Sequence, residues 1–159
     1  MALDPQSRCV LVCEDDPAMV RIFQFLLRQQ GIRKVITTPA GEQVGAIVQK
    51  EKPDLILLDL MLPGKDGLSV LRELKQDEKT RLIPVIVVSG KEAQEQVHQA
   101  MMAGAIDYVI KPFEPVELGS RIKSFLSTIE NSPSEPPVTP RTPPSTPPPA
   151  PSSGMGGVF

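Results

Sequence analysis

The segment Asp54-Leu55-Ile56-Leu57-Leu58-Asp59 places four large aliphatic residues between two carboxylates. A short continuous apolar run of this kind is typical of a strand buried on both faces of a parallel sheet. Ligands of open parallel sheets bind beyond the carboxyl ends of the strands. Asp59, a charge at the end of such a strand, is therefore the first candidate for a functional residue.

On both sides of this segment, apolar runs of four to six residues alternate with longer segments of helical period. We predict strands near residues 9–13, 34–37, 54–59, 84–89 and 106–110, and helices over about 17–30, 40–50, 67–77, 91–103 and 115–129. Asp16 is the expected N-cap of the first helix, because Pro17 follows it at a favoured first helical position. The alternation predicts an α/β fold with a five-stranded parallel sheet covered by helices on both faces.

The composition changes sharply after Ile129. Ten of the 18 prolines lie in residues 131–159, among Ser-Pro and Thr-Pro pairs. A segment of this composition cannot bury enough apolar area to offset the entropy lost on ordering. We therefore expect one globular domain over residues 1–130 and a disordered Pro/Ser/Thr-rich linker or tail over residues 131–159.

Charge and hydropathy exclude several functional classes. The formal net charge is −2 and no block of Lys and Arg is present, so nothing favours nucleic-acid binding within this chain. The longest apolar runs are far shorter than the roughly 20 residues that a membrane helix needs, so we expect no membrane insertion. Cys9 and Cys13 would lie about 13 Å apart along one strand, too far for a disulfide. With no signal-peptide pattern at the N-terminus, these features predict a cytoplasmic protein.

Three other predicted strands also end in polar groups. The acidic run Glu14-Asp15-Asp16 follows the first strand, Ser89 ends the fourth and Lys111 follows the fifth. Crowded carboxylates favour a hard divalent cation with oxygen ligands, for which Mg²⁺ fits best and Mn²⁺ is the alternative. A hydroxyl and an ammonium group can bind phosphoryl oxygens. The set predicts a site at which a carboxylate beside the cation can attack and accept a phosphoryl group.

The same residues give the chain a resemblance to the receiver domain of two-component response regulators. The matching segments are Leu57–Gly67, Pro84–Gly90 and Gly104–Phe113, spaced so that Asp59 precedes Ser89 by 30 residues and Lys111 by 52. The resemblance covers roughly residues 7–129. It implies a flavodoxin-like, doubly wound (βα)5 fold with strand order 2-1-3-4-5, and it identifies residues 1–130 as the receiver domain.

The resemblance implies a role for each of the acidic residues. Asp59 would be the phosphoacceptor. The divalent cation would be bound by Asp15 in the first place, then by Glu14, and least by Asp16. Asp59 and the backbone carbonyl of Met61 would supply the remaining protein ligands.

The resemblance also implies roles for the other polar groups. Ser89 and Lys111 would bind phosphoryl oxygens, and Gly90 would leave room for them. Ser89 and Tyr108 would form a switch, in which the aromatic ring turns inward when Ser89 moves towards the phosphoryl group. The Lys111–Pro112 peptide bond would be cis.

The function implied is a phosphorylation-dependent signalling switch. A histidine kinase or histidine phosphotransfer protein would phosphorylate Asp59, and the surface formed by the fourth helix, fifth strand and fifth helix would then change its binding to a downstream protein or to a second copy of the chain. No enzymatic activity is expected apart from Mg²⁺-dependent self-phosphorylation and self-dephosphorylation. Met61 and Lys91 flank the path of a hydrolytic water and predict slow self-dephosphorylation.

Two alternatives remain at this point. One is an interaction module that keeps the fold and works without phosphorylation. The other is a phosphohydrolase that forms an aspartyl phosphate on a strand-end Asp. Such enzymes need a second acid two residues after the nucleophile, and Met61 occupies that position.

Overall fold

The computed structural model of the protein describes residues 8–90 and 94–131, without the side chains of residues 128–131. Lys91 and the Pro-rich segment from residue 132 onward lie outside the described residues. The predicted boundary between a domain and a tail at residue 131 therefore stays a prediction.

The sheet has five parallel strands in the order β2-β1-β3-β4-β5. Their bounds are β1 Cys9–Cys13, β2 Lys34–Thr38, β3 Leu55–Leu58, β4 Val85–Ser89 and β5 Asp107–Ile110. The predicted fold class and strand order are confirmed. The register pairs Cys13 with Leu58 and Ser89 with Ile110, so the carboxyl ends of these strands meet at one edge of the sheet.

Five α-helices connect and follow the strands. Their bounds are α1 Pro17–Gln29, α2 Val44–Glu51, α3 Gly67–Gln76, α4 Gln94–Met102 and α5 Pro115–Asn131. The segment predicted as one helix over 40–50 differs in detail, because a 3₁₀ turn at Gly41–Gln43 precedes α2. In that turn the Gly41 amide donates a hydrogen bond to the Pro63 carbonyl of a neighbouring loop instead of joining the helix.

The helices divide between the two faces of the sheet. One face is covered by α1 and α5, whose Phe23, Leu27 and Ile122 pack on β-strand side chains such as Leu57. The other face is covered by α2, α3 and α4, which pack on side chains such as Ile56. Successive residues of a strand point to opposite faces, so a strand between two helical layers must be apolar at every position. This explains the run Leu55–Leu58.

The two cysteines are buried free thiols, as predicted. Burial raises the pKa of both Cys9 and Cys13. Among the described helices, none combines the length and apolar character required to span a membrane.

Candidate functional site

Asp59 lies directly after β3 and is 5% exposed. Its backbone amide donates to the Cys13 carbonyl at 3.1 Å, and its Oδ1 accepts a hydrogen bond from the Met61 amide at 2.9 Å. Gly67 packs closely behind it: a Cβ at Gly67 would lie 2.5 Å from Leu60 Cα and 2.7 Å from the Asp59 carbonyl oxygen. These contacts hold the Asp59 carboxylate at the carboxyl edge of the sheet.

The acidic run after β1 divides into two parts. Glu14, Asp15 and Asp59 each offer a carboxylate oxygen, and these three oxygens lie within 4.8 Å of one another. Asp16 serves instead as the N-cap of α1, where its Oδ1 accepts a hydrogen bond from the Ala18 amide at 3.0 Å. The structure thus brings Glu14 and Asp15 to Asp59 and gives Asp16 a role in the helix.

Glu14 and Asp15 differ strongly in their surroundings. Asp15 is exposed, whereas Glu14 is 2% exposed. Glu14 Oε2 accepts a hydrogen bond from the Asp16 amide at 3.2 Å, and its Oε1 accepts one from Lys111 Nζ at 2.7 Å. Burial raises the pKa of Glu14, although the Lys111 ammonium opposes this shift. Asp15 is consequently the more accessible of the two carboxylates.

Lys111 connects the acidic groups. Its Nζ donates to Glu14 Oε1 at 2.7 Å and to Asp59 Oδ2 at 2.9 Å, and its side chain is 19% exposed. Burial by itself lowers the pKa of Lys111, but the hydrogen bonds and charges of the two carboxylates outweigh it and raise the pKa overall. Lys111 therefore carries a positive charge between two buried carboxylates.

The backbone around Lys111 is held from both sides. Its amide donates to the Ser89 carbonyl at 2.9 Å, and the Lys111–Pro112 peptide bond is cis. Phe113 stacks on the buried Phe23 of α1, with ring centroids 5.9 Å apart and planes 15° apart. These contacts tie the segment after β5 to both β4 and α1.

The carboxyl edge of the sheet also carries Ser89, Gly90 and Tyr108. Ser89 ends β4 and is fully buried, and its side chain is hydrogen-bonded to that of the partly buried Tyr108. Burial raises the pKa of Tyr108, and the hydrogen bond with Ser89 opposes that shift. Gly90 is exposed, and a Cβ there would meet no described atom within 4 Å. Among the described residues, none would crowd a side chain at position 90.

Two features of the loop after β3 were not predicted from the sequence. Asp66 caps α3, since its Oδ2 accepts a hydrogen bond from the Ser69 amide at 3.2 Å. Position 67 must be glycine because a Cβ there would collide with the backbone of Asp59 and Leu60. An Asp before a helical pattern is an N-cap signal, so the role of Asp66 could have been found. The contact between Gly67 and Leu60 has no signal in a single sequence.

The donor set fits a hard divalent cation. Three carboxylates offer oxygens at one point, and Asp15 among them is exposed to solvent. Carboxylate oxygens are the ligands that Mg²⁺ and Mn²⁺ prefer. Among the described residues, Lys111 supplies one ammonium group against these three carboxylates, which leaves an excess of negative charge for a cation to neutralise.

Comparison with known proteins gives this arrangement a family. The sequence model of the response regulator receiver domain matches residues 10–123. This chain belongs to the receiver domain family. Among curated relatives, DNA-binding response regulator MtrA of Mycolicibacterium smegmatis is 35% identical over 133 residues, which cover 84% of this chain and 57% of that protein. Phosphate regulon transcriptional regulatory protein PhoB of Pseudomonas aeruginosa is 35% identical over 132 residues, with 83% and 57% covered. This receiver chain thus spans a little over half the length of these relatives.

Solved structures of receiver domains share the fold. The receiver domain of sensor histidine kinase PA1611 from Pseudomonas aeruginosa, with a magnesium ion coordinated in its active site cleft, is 30% identical with a TM-score of 0.68 over 76% of this chain and 98% of that one. The Mn²⁺-bound form of response regulator Rcp1 is 29% identical with a TM-score of 0.67, covering 82% and 99%. Receiver domains bind divalent metal at an acidic pocket, and the cluster of Glu14, Asp15 and Asp59 could hold such an ion in this chain.

Proposed function

We propose that the protein is a phosphorylation-dependent switch of a two-component system, in which Asp59 accepts a phosphoryl group from the phosphohistidine of a histidine kinase or a histidine phosphotransfer protein. The observation that carries the proposal is the position of Lys111 Nζ, within hydrogen-bond distance of both Asp59 and Glu14. An ammonium fixed beside a buried carboxylate is suited to bind an oxygen of a group transferred to that carboxylate.

The cation would be Mg²⁺, with Mn²⁺ as the alternative. Asp15 and Asp59 would bind it with the backbone carbonyl of Met61, and Glu14 would contribute through its position beside them. A bound divalent cation would neutralise the crowded carboxylates and attract phosphoryl oxygens. Asp16 is the weakest candidate ligand, because its carboxylate already accepts the hydrogen bond that caps α1.

The transfer step follows from the groups at the edge. A carboxylate oxygen of Asp59 attacks phosphorus, the phosphorus–nitrogen bond of the phosphohistidine breaks, and its electron pair returns to the imidazole nitrogen. Lys111 exchanges its contact with Asp59 for one with a phosphoryl oxygen, which keeps the new negative charge paired. Ser89 donates its hydroxyl hydrogen to a second phosphoryl oxygen, and Gly90, which has no side chain, would leave room for the group.

The readout would begin at the hydrogen bond between Ser89 and Tyr108. When the Ser89 hydroxyl turns to the phosphoryl group, its bond with Tyr108 is lost and the ring takes a new position. Tyr108 belongs to β5, so the surface formed by α4, β5 and α5 changes with it. We propose that this surface binds a downstream protein or a second copy of the chain, as a two-state element biased by a local charge.

The remaining parts of the proposal concern the whole chain. We propose that residues 1–130 form the receiver domain, that residues 131–159 form a disordered linker or tail, and that the protein acts in the cytoplasm, where histidine kinases present their phosphohistidine. Self-phosphorylation and slow self-dephosphorylation would be its only chemistry. Met61 supports this over a phosphohydrolase, because it offers no acid two residues after Asp59.

Phosphorylation can be tested with a small donor. Acetyl phosphate and MgCl₂ should add the mass of one phosphoryl group to the wild-type protein, and Asp59→Asn should abolish the addition. Asp54→Asn is the matched control, since Asp54 bounds the other end of the same strand, where it accepts a hydrogen bond from the Cys9 amide. A mass increase that persists in Asp59→Asn would refute the proposed phosphoacceptor.

A further inference from the structure

The turn after β2 makes an unusually close backbone contact with the loop after β3. Gly41 is buried, and its amide donates to the Pro63 carbonyl at 3.4 Å. A Cβ added at Gly41 would overlap the Lys65 carbonyl oxygen and lie 3.1 Å from the Lys65 carbonyl carbon. These are backbone atoms, which cannot rotate away as a flexible side chain can. Any side chain at position 41 must therefore displace the loop.

The loop has little freedom to absorb such a displacement. Leu60 and Leu62 are 3% and 6% exposed and are part of the core under α2 and α3. The Gly67 amide donates to the Leu60 carbonyl at 3.2 Å, which fixes the far end of the loop. Met61 lies between the two leucines and Asp59 directly precedes them, and the Met61 amide donates a hydrogen bond to Asp59 Oδ1 at 2.9 Å. Lys65 is six positions after Asp59 in this tightly packed loop, so we expect a displacement of Lys65 to move Met61 and Asp59 as well.

We propose that Gly41 is a positioning residue for the Asp59 site: its close packing on Lys65 sets the place of the loop that carries Asp59 and Met61. The inference rests on the proposed function, because the groups that Gly41 positions are the phosphoacceptor and a cation ligand. The neighbouring Glu42 packs on the same loop, since its carboxylate lies where a Cβ of Gly64 would be. Gly41 itself lies outside the acidic cluster and is not one of its ligands.

The chain offers a matched control one helical turn away. Gly45 is also a glycine of the segment after β2, but a Cβ there would meet nothing within 4 Å among the described residues. Gly45→Ala therefore adds the same methyl group without displacing the loop. Because Gly45 lies within α2, Ala should also raise the urea midpoint through its higher helix propensity.

The test compares Gly41→Ala with Gly45→Ala in the full chain, under conditions where urea titrations show each variant to be folded. Misplacing a reacting group by on the order of 1 Å lowers rates by up to about a hundredfold. We expect Gly41→Ala to weaken Mg²⁺ binding, measured by titration calorimetry, and to slow phosphorylation by acetyl phosphate by at least about tenfold. Gly45→Ala should leave both quantities within about twofold of wild type. If Gly41→Ala loses stability but keeps Mg²⁺ affinity and rate within that range, its role is structural only and the inference is overturned.

A second measurement covers the case in which Gly41→Ala does not fold. In the wild-type protein, Mg²⁺ with beryllofluoride should slow hydrogen exchange of the Gly41 amide, because ordering of the loop strengthens its bond to Pro63. The Lys52 amide, bonded to the Val48 carbonyl at the other end of α2, should not change. Equal responses of the two amides would overturn the inference. Failure of the wild-type protein to accept a phosphoryl group would instead overturn the proposed function, while the Mg²⁺ titrations would still decide the role of Gly41.

Discussion

Replacing Lys111 with Met removes the ammonium that joins two buried carboxylates while it keeps an unbranched side chain of similar length. The Glu14 and Asp59 side chains are 1% and 7% exposed, and they contact Lys111 Nζ at 2.7 and 2.9 Å. Water cannot replace the lost charge at such burial. The substitution therefore leaves two buried negative charges near one another and close to Asp15.

The expected loss of unfolding free energy is about 3 kcal/mol at neutral pH without divalent metal, at the lower end of the range for removing one partner of a buried pair. The lower end applies because the Glu14 carboxyl, whose pKa burial already raises, can bind a proton. The pKa of Lys111 is raised above 10.5 in the folded protein. The ammonium therefore stabilises the folded state fully at neutral pH, and this contribution is lost only as the pH rises through the folded-state pKa of Lys111. A carboxyl with a raised pKa destabilises increasingly as the pH rises through its folded-state value. The deficit of Lys111→Met should therefore be larger at pH 8 than at pH 5.5.

The assay is urea unfolding followed by circular dichroism, first in EDTA and then in MgCl₂. Mg²⁺ should stabilise Lys111→Met more than wild type, because the cation supplies the missing positive charge at the carboxylates. Lys34→Met is the control: Lys34 pairs with Glu51 at 2.8 Å on the surface, with 58% of its side chain exposed. Exposed pairs contribute little, so this variant should unfold close to wild type. Equal stability of Lys111→Met and wild type in EDTA, or equal gains from Mg²⁺, would refute the role assigned to the ammonium.

Three further predictions use similar measurements. Cys9 and Cys13 are buried and their thiol pKa values are raised, so a thiol reagent at pH 8 should label neither in the native protein and both in urea. If the native protein were labelled as fast as the unfolded protein, the burial of β1 would be contradicted. Met61→Ala trims a side chain that is 55% exposed beside the site, so it should shorten the lifetime of the aspartyl phosphate, measured by intact mass. An unchanged lifetime would count against the hypothesis that Met61 hinders the hydrolytic water. The buried Thr80, 4% exposed, donates its hydroxyl hydrogen to the Leu74 carbonyl at 2.6 Å, so Thr80→Val should lower the free energy of unfolding by about 1 kcal/mol in urea titrations. An unchanged urea midpoint would show that this hydrogen bond makes no net contribution to stability.

The strands were predictable because each is an apolar run that ends in a polar or turn residue. β1 has the predicted bounds, β3 is one residue shorter than predicted at both ends, and the other three strands each differ by one residue at one end. The start of α1 was also predictable, since Asp16 and Pro17 form a local capping signal. The division of the segment 40–50 into a 3₁₀ turn and α2 was not, because it depends on the contact of Gly41 with a loop more than 20 residues away.

The candidate site was only partly predictable for the same reason. The sequence places Asp59, Ser89 and Lys111 at strand ends, and parallel strands bring those ends to one edge. It contains no signal that Lys111 bonds to Glu14, 97 residues earlier. The family motifs couple Ser89 to Tyr108, but they do not give the hydrogen bond that joins the two side chains. Such pairings depend on the distances between neighbouring strands and on side-chain conformations.

By itself, the sequence determined the α/β class, the elements and the chemical types of group at the edge of the sheet, because apolar periodicity, caps and strand-end residues are local properties. The family motifs added the strand order and the identity of the phosphoacceptor candidate. Only the tertiary structure decided which charges touch: Lys111 lies between Glu14 and Asp59, and Asp15 is exposed beside them. It also decided that Gly41 packs against the loop of Asp59, since close backbone contacts arise only when separate segments of the folded chain meet.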